Sequence, residues 1–473
     1  MKNNSFIYQD IAGQLEQLIL SGALRIGDRL PSVRRLSTEK NVSISSIYKA
    51  YIELESKGLI EAKPKSGYYV RFSPQQVRKI THIRQQAAKR PQQVKSLQEE
   101  VYAPLHDDNI IKLSINKPDT AILPVSKLKN SMLHAIRQNP GKLVNYNDLQ
   151  GHTGLRRQIA RVSYSAGLLL NPEDIITTTG CLEAIHYALL AVTAPGDAVA
   201  VESPTYFGLL KAIETYGRIP VEVYTDPISG IDIPSLEKCI DNHDIKACIV
   251  ISSFSNPTGA HLTEDKRRGL VSLVTRKNIV LIEDDIYGEL FFGQQRLKAC
   301  KAYDLFENVI LCSSFSKSVA PGYRIGWLVA GRYKSEIFEY KMNHSVTTVS
   351  VTETAMAHFL ENGRYDLHMR QLRKTLHVQC LQYLQAIHEF FPDTVKISAP
   401  EGGFVIWVAM PDGCDSVKLY RKLIGKGISI APGQLFSRKL DLQSYFRISF
   451  GSPFTPDIQR AIGEIGAELR NMM

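Results

Sequence analysis

The most specific chemical setting in this sequence surrounds Lys317. It ends the segment Ser313-Ser314-Phe315-Ser316-Lys317, which follows directly on an apolar, β-branched stretch at 309–311, and Arg324 comes shortly after it. A single lysine is usually a solvated surface residue, but a lysine amine is the side chain that forms an imine with an aldehyde. An arginine beside it can hold an anionic group such as a phosphate. The segment therefore predicts imine chemistry on a ligand that carries an anion.

Three other segments with candidate groups follow apolar stretches in the same way. They contain Asn256 after 248–251, Asp284 and Tyr287 after 279–282, and Gly180 after 175–177. The carboxyl ends of parallel strands share one edge of an open sheet, where ligands bind, and a helix that opens at Gly180 can hold an anion at its N-terminus. Each segment alone could be a plain turn or a solvated helix cap. Together they indicate one cofactor site, with a lysine, a carboxylate for a pyridine nitrogen and donors for a ring oxygen.

The elements needed to position these groups are short strands that alternate with helices. β-Branched runs recur from Lys112 onward between helical patterns, which is typical of an α/β fold with a layered parallel sheet.

A chain of 473 residues is expected to form two or three units. It contains no run of about 18 apolar residues, so we expect no membrane span. Seven cysteines without a C-x-x-C pair predict free thiols in a reducing cytoplasm and no metal site.

The net charge of +10 is concentrated at one end of the chain. Residues 1–100 contain 17 Lys or Arg and 9 Asp or Glu, a net charge of +8, so the remaining residues carry only +2. A basic segment of this kind is either a solvated face or a surface that binds nucleic-acid phosphates. Charge alone leaves both interpretations open.

The first 72 residues show the pattern of a small DNA-binding module. Apolar residues at helical spacing predict a first helix, Pro31 lies in the first turn of a second helix that carries Arg34, and Ser43 can cap a third. Two short strands at 59–63 and 68–71 would follow, joined through Lys65-Ser66-Gly67. This order predicts a winged helix-turn-helix whose third helix enters the major groove of DNA. A small helical oligomerisation module is the alternative.

The third helix distinguishes the two interpretations. Its buried stripe would consist of Ile47, Ala50, Tyr51 and Leu54. The residues expected to point outward are Ser45, Ser46 and Lys49, and the pattern does not decide whether Tyr48 faces outward or inward. A polar and basic outer face favours the DNA-binding interpretation.

The module resembles the GntR family of bacterial regulators. The resemblance is carried by Gly27-Asp28-Arg29-Leu30-Pro31-Ser32-Val33-Arg34 and by Ala50-Tyr51-Ile52-Glu53-Leu54-Glu55-Ser56-Lys57-Gly58-Leu59. It implies that Arg34 contacts DNA, that the third helix reads bases and that Gly67 lies in the wing. Ile44 stands where many relatives place an arginine.

Residues 112–473 resemble the fold-type I pyridoxal-phosphate aminotransferases, through the segments above and through Glu202-Ser203-Pro204-Thr205-Tyr206, Tyr146-Asn147-Asp148-Leu149-Gln150-Gly151 and Tyr445-Phe446-Arg447-Ile448-Ser449-Phe450. The resemblance implies pyridoxal 5′-phosphate bound covalently at Lys317, with Arg447 and Asn256 on the substrate side. A structural ion pair is the alternative role for Arg447. The other implied contacts are Asp284 with the pyridine nitrogen, Asn256 and Tyr287 with the ring oxygen, Tyr206 stacked on the ring, Ser314, Arg324 and the backbone of Gly180, Cys181 and Leu182 with the phosphate, and Tyr146 with the phosphate of the partner subunit.

Two departures from the aminotransferase pattern concern the walls of this site. Leu182 replaces a polar residue that is common in the phosphate loop, so that contact would use the backbone alone. Asn116-Lys117-Pro118-Asp119 stands where a Gly-x-Pro-Asp segment is usual on the substrate side.

The combination of both halves resembles the MocR subfamily of GntR regulators. The expected organisation is a winged helix-turn-helix at 1–72, a linker at 73–111 and an aminotransferase-like domain at 112–473, with a larger part at about 125–340 and a smaller C-terminal part at about 341–473. The resemblance implies a cytoplasmic homodimer that binds double-stranded DNA and senses pyridoxal phosphate or an amino-acid or amine effector by imine exchange at Lys317. A transaminase that also binds DNA is the alternative, because every group needed for turnover is present.

Overall fold

In the computed structural model, which describes residues 6–63, 66–84, 94–138, 140–361 and 363–473, the chain begins with a three-helix unit and a hairpin. We call this unit the reader; its elements are α1 (Ile7–Leu20), α2 (Val33–Lys40), α3 (Ile44–Ser56), β1 (Ile60–Lys63) and β2 (Gly67–Val70). The two strands are antiparallel, with Ile60 opposite Val70. This arrangement confirms the winged helix-turn-helix. Lys65, predicted in the turn of the wing, lies outside the described residues.

Helix α3 forms where the sequence predicts it because its cap and its apolar stripe agree. The Ser43 hydroxyl accepts a hydrogen bond from the Ser46 amide (3.2 Å), as an N-cap should. The predicted stripe is buried, and the Tyr51 hydroxyl donates to the Pro31 carbonyl oxygen (2.6 Å). That bond ties α3 to the start of α2.

The predicted linker contains regular structure. The Ile80 amide donates to the Ile397 carbonyl oxygen (3.0 Å) and the Ile397 amide donates to the Arg78 carbonyl oxygen (2.7 Å). Further along, the segment forms α4 (Val94–Tyr102) and β3 (Ile111–Lys112). Residues 85–93 of the predicted linker lie outside the described residues.

A central eight-stranded sheet confirms the α/β fold. Its strands are β4 (Ile175–Thr178), β5 (Ala198–Ser203), β6 (Ile219–Asp226), β7 (Gly230–Ile231), β8 (Ile245–Ile251), β9 (Val280–Asp284), β10 (Val309–Ser314) and β11 (Gly326–Val329), in the order β4-β11-β10-β9-β8-β5-β6-β7. β9 is parallel to β8 and β10, whereas β11 is antiparallel to both β10 and β4. The carboxyl ends of β4, β8, β9 and β10 therefore lie at one edge.

Helices pack on this sheet or on other helices around it, and every residue of β9 and β10 is buried. These helices are α5 (Val125–Gln138), α6 (Pro140–Leu143), α7 (Thr153–Val162), α8 (Cys181–Val192), α9 (Phe207–Thr215), α10 (Ile233–Asn242), α11 (Glu264–Arg276), α12 (Lys334–His344) and α13 (Ser350–Glu361). Strands buried on both faces explain the continuous apolar runs in the sequence.

The C-terminal part forms a smaller sheet with its own helices. Its elements are α14 (Arg364–Phe390), β12 (Lys396–Ile397), β13 (Val405–Ala409), α15 (Ser416–Ile424), β14 (Ile428–Ser429), β15 (Ala431–Pro432), β16 (Tyr445–Ser449) and α16 (Pro456–Arg470), and its sheet order is β12-β13-β16-β15. The reader lies against α14, where Lys374 forms an ion pair with Glu53 (2.9 Å).

Candidate functional site

A cavity of about 290 Å³ opens at the edge of the large sheet. It is lined by residues of all four segments that the sequence analysis marked at strand ends. The predicted residues that line it are Cys181, Leu182, Tyr206, Asn256, Asp284, Tyr287, Lys317, Arg324 and Arg447. The parallel arrangement of β8, β9 and β10 is what brings these distant parts of the sequence together.

Lys317 lies in the turn that follows β10, and its amine points into the cavity. The ammonium donates to the Asn116 carbonyl oxygen and lies 6.0 Å from the centre of the Tyr287 ring. Burial lowers the pKa of Lys317 to about 8, and the nearby positive charge of Arg447 acts in the same direction. A lysine with this pKa is partly neutral near physiological pH, so its amine can act as a nucleophile.

Asp284 ends β9 and is almost fully buried beside the cavity. Its carboxylate accepts hydrogen bonds from the Cys181 thiol (3.3 Å) and the Ile286 amide (3.1 Å). Burial raises the pKa of Asp284 to about 6. No arginine or lysine of the described part of the chain is bonded to this carboxylate, which favours a positively charged group in the cavity.

The part of the cavity around Arg324 is suited to an anion. The Arg324 guanidinium donates to the Thr179 carbonyl oxygen (2.9 Å) and the Ser316 hydroxyl (3.3 Å), which are both neutral acceptors. Gly180 has a φ of +90°, and a Cβ there would lie 2.3 Å from the Arg324 guanidinium. Only glycine permits this approach, which places Arg324 at the N-terminus of α8.

Arg447 is fully buried on β16 and has neutral partners. It donates to the Asn256 side-chain oxygen (2.8 Å) and to the Ser114 carbonyl oxygen, and its guanidinium lies 5.3 Å from the Phe436 ring. Its buried Nε has no hydrogen-bond partner among the residues that the structure describes. Within the described part of the chain no carboxylate forms an ion pair with Arg447, so the structural ion pair considered for this residue is absent there.

Two further contacts orient the donors of the cavity. The Asn116 side-chain amide donates to the Tyr287 hydroxyl (2.8 Å), so the proton of that hydroxyl is free to point elsewhere. Because the Asn256 oxygen accepts from Arg447, its NH₂ group is likewise available. Both side chains can therefore donate to a ligand in the cavity.

Tyr206 lies at the N-terminus of α9, and its ring packs over Gly208, where a Cβ would come within 2.4 Å of a ring carbon. Burial raises the pKa of Tyr206 to about 12, so the phenol stays neutral. The ring forms part of the cavity wall.

Ser314 and Tyr146 are not part of the wall that this chain gives the cavity. The Ser314 hydroxyl accepts from the Ser316 amide (3.2 Å) and so holds the turn that presents Lys317. The Tyr146 side chain is 83% exposed on the outer surface. A contact from Tyr146 to a phosphate would therefore have to be made in another subunit.

Sequence analysis did not assign a role to Asn116, Ser316 or Tyr102, which also line the cavity. Ser316 directly precedes Lys317, and that adjacency was a usable signal. Asn116 was noted only as a departure from a family pattern. Tyr102 lies within the predicted linker, where nothing in the local sequence points to a binding site.

The outer face of the reader carries the residues predicted to bind DNA. Arg34, Ser45, Tyr48 and Lys49 are exposed and Ser46 is half-buried. Gly67 is exposed in the wing with a φ of +108°. Tyr48, which the sequence left undecided, is thus on the outer face, next to the exposed Ile44.

Among the described residues, no group of three or more His, Cys, Asp or Glu residues could hold a metal ion. None of the helices described above is long and apolar enough to cross a membrane. All seven cysteines are free thiols.

Comparisons with known proteins match both halves. The family profile "Aminotransferase class I and II" matches residues 108–465, and "Bacterial regulatory proteins, gntR family" matches residues 7–70. The chain is 35% identical to the uncharacterized HTH-type transcriptional regulator YjiR of Escherichia coli (strain K12), over 98% of this chain and 99% of that protein. It is 27% identical to the HTH-type transcriptional regulator NorG of Staphylococcus aureus (strain USA300), over 92% and 98%.

A solved structure is similar to the larger half. The kynurenine aminotransferase of Pyrococcus horikoshii, in complex with PMP and with KYN as substrate, superposes with a TM-score of 0.74 at 28% identity. The match covers 81% of this chain and 95% of the aminotransferase chain. The uncovered share of this chain is about the size of the reader.

Proposed function

Because the chain belongs to the HTH-type transcriptional regulators that join a GntR domain to an aminotransferase class I and II domain, the MocR arrangement, we propose that it regulates transcription in response to an amine that reacts at Lys317. The observation that carries the proposal is one cavity lined by a lysine, a buried carboxylate and two arginines, in a chain that also has a DNA-binding reader. The response to an amine is the part that requires experiment.

The cofactor of this site is pyridoxal 5′-phosphate, and the donors present fit it. Lys317 supplies the amine, Asp284 the carboxylate, and Arg324 the charge for a phosphate. When bound, the cofactor supplies an aldehyde carbon that amines attack and a ring that withdraws electrons from that carbon.

Four side chains would hold the ring of the cofactor. Asp284 would accept a hydrogen bond from a protonated pyridine nitrogen, because the burial of its carboxylate makes a neighbouring positive charge favourable. Tyr287 and Asn256 would donate to the ring oxygen, since their other polar contacts leave those protons free. Tyr206, which lines the same cavity, would lie against the ring. These roles follow the sequence predictions for the same residues.

The phosphate end combines side chains with backbone. Arg324 and the Ser316 hydroxyl are bonded to each other and can share the phosphate oxygens. The amides at Gly180, Cys181 and Leu182 open α8 and add donors without any side chain, which suits the apolar Leu182. Ser314 acts here by holding the turn that presents Lys317.

The effector end is formed by Arg447. Its guanidinium is positioned by Asn256 and Ser114, and its Nε is unpaired. A carboxylate accepted there would replace neutral partners with a charge-assisted pair. An α-amino acid would thus place its amine at Lys317 and its carboxylate at Arg447.

The rate at which the cofactor attaches covalently to Lys317 should rise with pH as the Lys317 amine loses its proton. The neutral amine is the nucleophile, and a pKa of about 8 makes about half of it neutral at pH 8, against roughly 0.3% for a lysine of ordinary pKa. The loading rate of cofactor-free protein should rise about tenfold per pH unit below about pH 8 and level off above it. Stopped-flow absorbance measures this rate. A rate that keeps rising to about pH 10 would show that Lys317 has an ordinary pKa.

DNA binding should weaken steeply with salt, because residues 1–100 carry a net charge of +8 and bind phosphates. Arg34→Ala should reduce affinity for all sequences and lower the slope of log K against log salt by about one. Substitutions at Ser45 or Ser46 should instead change which sequences are preferred. Fluorescence anisotropy with DNA duplexes over a salt series measures both effects.

Arg35→Ala is the matched control for Arg34→Ala. Arg35 is also exposed on α2 but is already paired with Glu39 (2.6 Å), so its loss should change the salt slope less. Equal effects of the two substitutions would remove the specific role of Arg34. An affinity that does not depend on salt would remove the electrostatic basis of the proposal.

A homodimer is the expected assembly, because the surface that carries Tyr146 is apolar. Val144, Ile136 and Val349 are exposed there by 88%, 48% and 60%, on or beside the packed helices α5 and α13. Exposed apolar patches of this kind mark interfaces. Light scattering should give twice the chain mass of 53.0 kDa; a monomer would leave Tyr146 without a phosphate to contact.

A competent aminotransferase is the second candidate function. The complete set of groups in the cavity and the similarity to a solved kynurenine aminotransferase favour it. Steady-state transamination with a panel of amino acids distinguishes the two. Turnover at rates typical of enzymes, about 1–1,000 per second, supports the enzyme, and slow or absent turnover supports the regulator.

A further inference from the structure

The segment that joins the reader to the large unit supplies one wall of the cavity. Tyr102, the last residue of α4, lines the cavity and is half-buried. Its ring centre lies 5.6 Å from that of Phe207, at an angle of 55°. This distance is within the range of a favourable aromatic pair.

Tyr102 is held in this position by the residues just before it. The Glu100 carboxylate accepts two hydrogen bonds from Arg421 (2.7 and 2.9 Å), and the Glu100 carbonyl oxygen accepts one from the Tyr420 hydroxyl (2.8 Å). Val101 is fully buried. The end of α4 is therefore fixed to α15, and Tyr102 presents its ring to the cavity from a rigid support.

Phe207 and Arg447 line the same cavity and both contact Phe436, which does not line it. The ring of Phe207 lies 6.5 Å from that of Phe436, and the guanidinium of Arg447 lies 5.3 Å from the Phe436 ring. A ligand whose carboxylate is bound by Arg447 would thus share the cavity with the ring of Phe207.

The charges of the cavity leave no partner for a charged ligand side chain. Among the described residues that line it, the charged ones are Asp284, Lys317, Arg324 and Arg447, and the proposed function uses all four. The apolar residues in the wall are Ile115, Leu182, Ile185, Phe207, Leu209, Ile251 and Ile286. Burying an unpaired charge against such a wall is costly.

We propose that the effector is an α-amino acid with an aromatic or branched apolar side chain, and that Tyr102 and Phe207 form the subsite for this side chain. The inference rests on the proposed function for Lys317 and Arg447 and adds the chemical class of the ligand. It gives the connecting segment a direct contact with the molecule that is sensed.

The experiment uses full-length protein loaded with pyridoxal phosphate and titrated with L-phenylalanine, L-leucine, L-alanine, L-aspartate and L-lysine, with the change in the cofactor absorption band as the readout. L-Phenylalanine and L-leucine should bind at least about tenfold more tightly than L-aspartate and L-lysine. Tyr102→Ala should weaken the binding of L-phenylalanine by about 3- to 10-fold and leave the affinity for L-alanine within about twofold of the wild-type value. Tyr102→Phe should keep the wild-type preference.

Tyr164→Ala is the matched control, since Tyr164 is 71% exposed outside this cavity, and it should bind every amino acid like the wild type. Tightest binding of L-aspartate or L-lysine, no binding of any amino acid by loaded protein, or an equal loss for all ligands in Tyr102→Ala would overturn the inference while the covalent site at Lys317 stands. Failure of the cofactor to attach to Lys317 would instead refute the proposed function and the inference together.

Discussion

Replacing Lys317 with alanine is expected to abolish covalent attachment of the cofactor. No other lysine lines the cavity among the described residues, so the aldehyde would lose its amine, while Arg324 and the start of α8 would still hold the phosphate. In wild-type protein, borohydride reduction followed by peptide mass mapping should mark Lys317. In Lys317→Ala the visible absorption band and the label should both be lost.

Lys341 is an internal control for this experiment. It is also buried, burial lowers its pKa to about 8, and it donates to the Thr177 carbonyl oxygen (2.8 Å). If a lowered pKa alone caused labelling, Lys341 would be marked as well. A label on Lys341 and not on Lys317 would contradict the assignment of the site.

Arg447→Ala should have the second large effect, on affinity for amino acids. Removing one partner of a buried charge pair costs about 2–5 kcal/mol, or roughly 30-fold or more in affinity. Arg447→Lys keeps the positive charge but cannot form a bidentate pair with a carboxylate, so it should recover only part of the lost affinity. Spectral titration with L-phenylalanine measures the loss.

A ligand without a carboxylate separates this role from a purely structural one. Phenylethylamine resembles L-phenylalanine but has nothing for Arg447 to bind, so Arg447→Ala should change its affinity little. Arg447 also positions Asn256. Equal losses for both ligands would mean that Arg447 supports Asn256 and does not bind a carboxylate.

Much of the fold follows from patterns within short stretches of sequence. The stripe of α3 could be predicted because helical periodicity and the Ser43 cap are local. Asp284 and Lys317 could be placed at one sheet edge because each follows an apolar strand. These signals need no knowledge of distant contacts.

The remaining features depend on contacts between distant residues. Asn116 meets Lys317 and Tyr287 in a segment that Arg447 and Ser449 of β16 bind through the carbonyl oxygens of residues 114 and 113. Tyr102 reaches the cavity because Glu100 binds Arg421, which is more than three hundred positions away. The exposure of Tyr146 likewise depends on how α5 and α13 pack. The helical or strand periodicity of a short stretch contains no information about such contacts between distant residues.

The structure also offers a physical connection between cavity and reader. His377 of α14 stacks on Phe292 at 4.9 Å and 11°, and Phe292 follows the segment that carries Tyr287. On the same helix, Lys374 binds Glu53 of the reader. A ligand that changes the position of either segment can therefore change the conformation of the reader. The size of this effect is set by the difference between the ligand's affinities for the two conformations of the protein.

The most direct test measures DNA affinity with and without the ligand. Genomic fragments selected by cofactor-loaded protein provide the duplex, and anisotropy gives its affinity with and without L-phenylalanine, in wild type and Arg447→Ala. We expect the DNA affinity to change by about 5- to 150-fold in wild type and not at all in Arg447→Ala. Unchanged DNA affinity with every amino acid, or a full response to pyridoxal phosphate alone, would contradict this expectation.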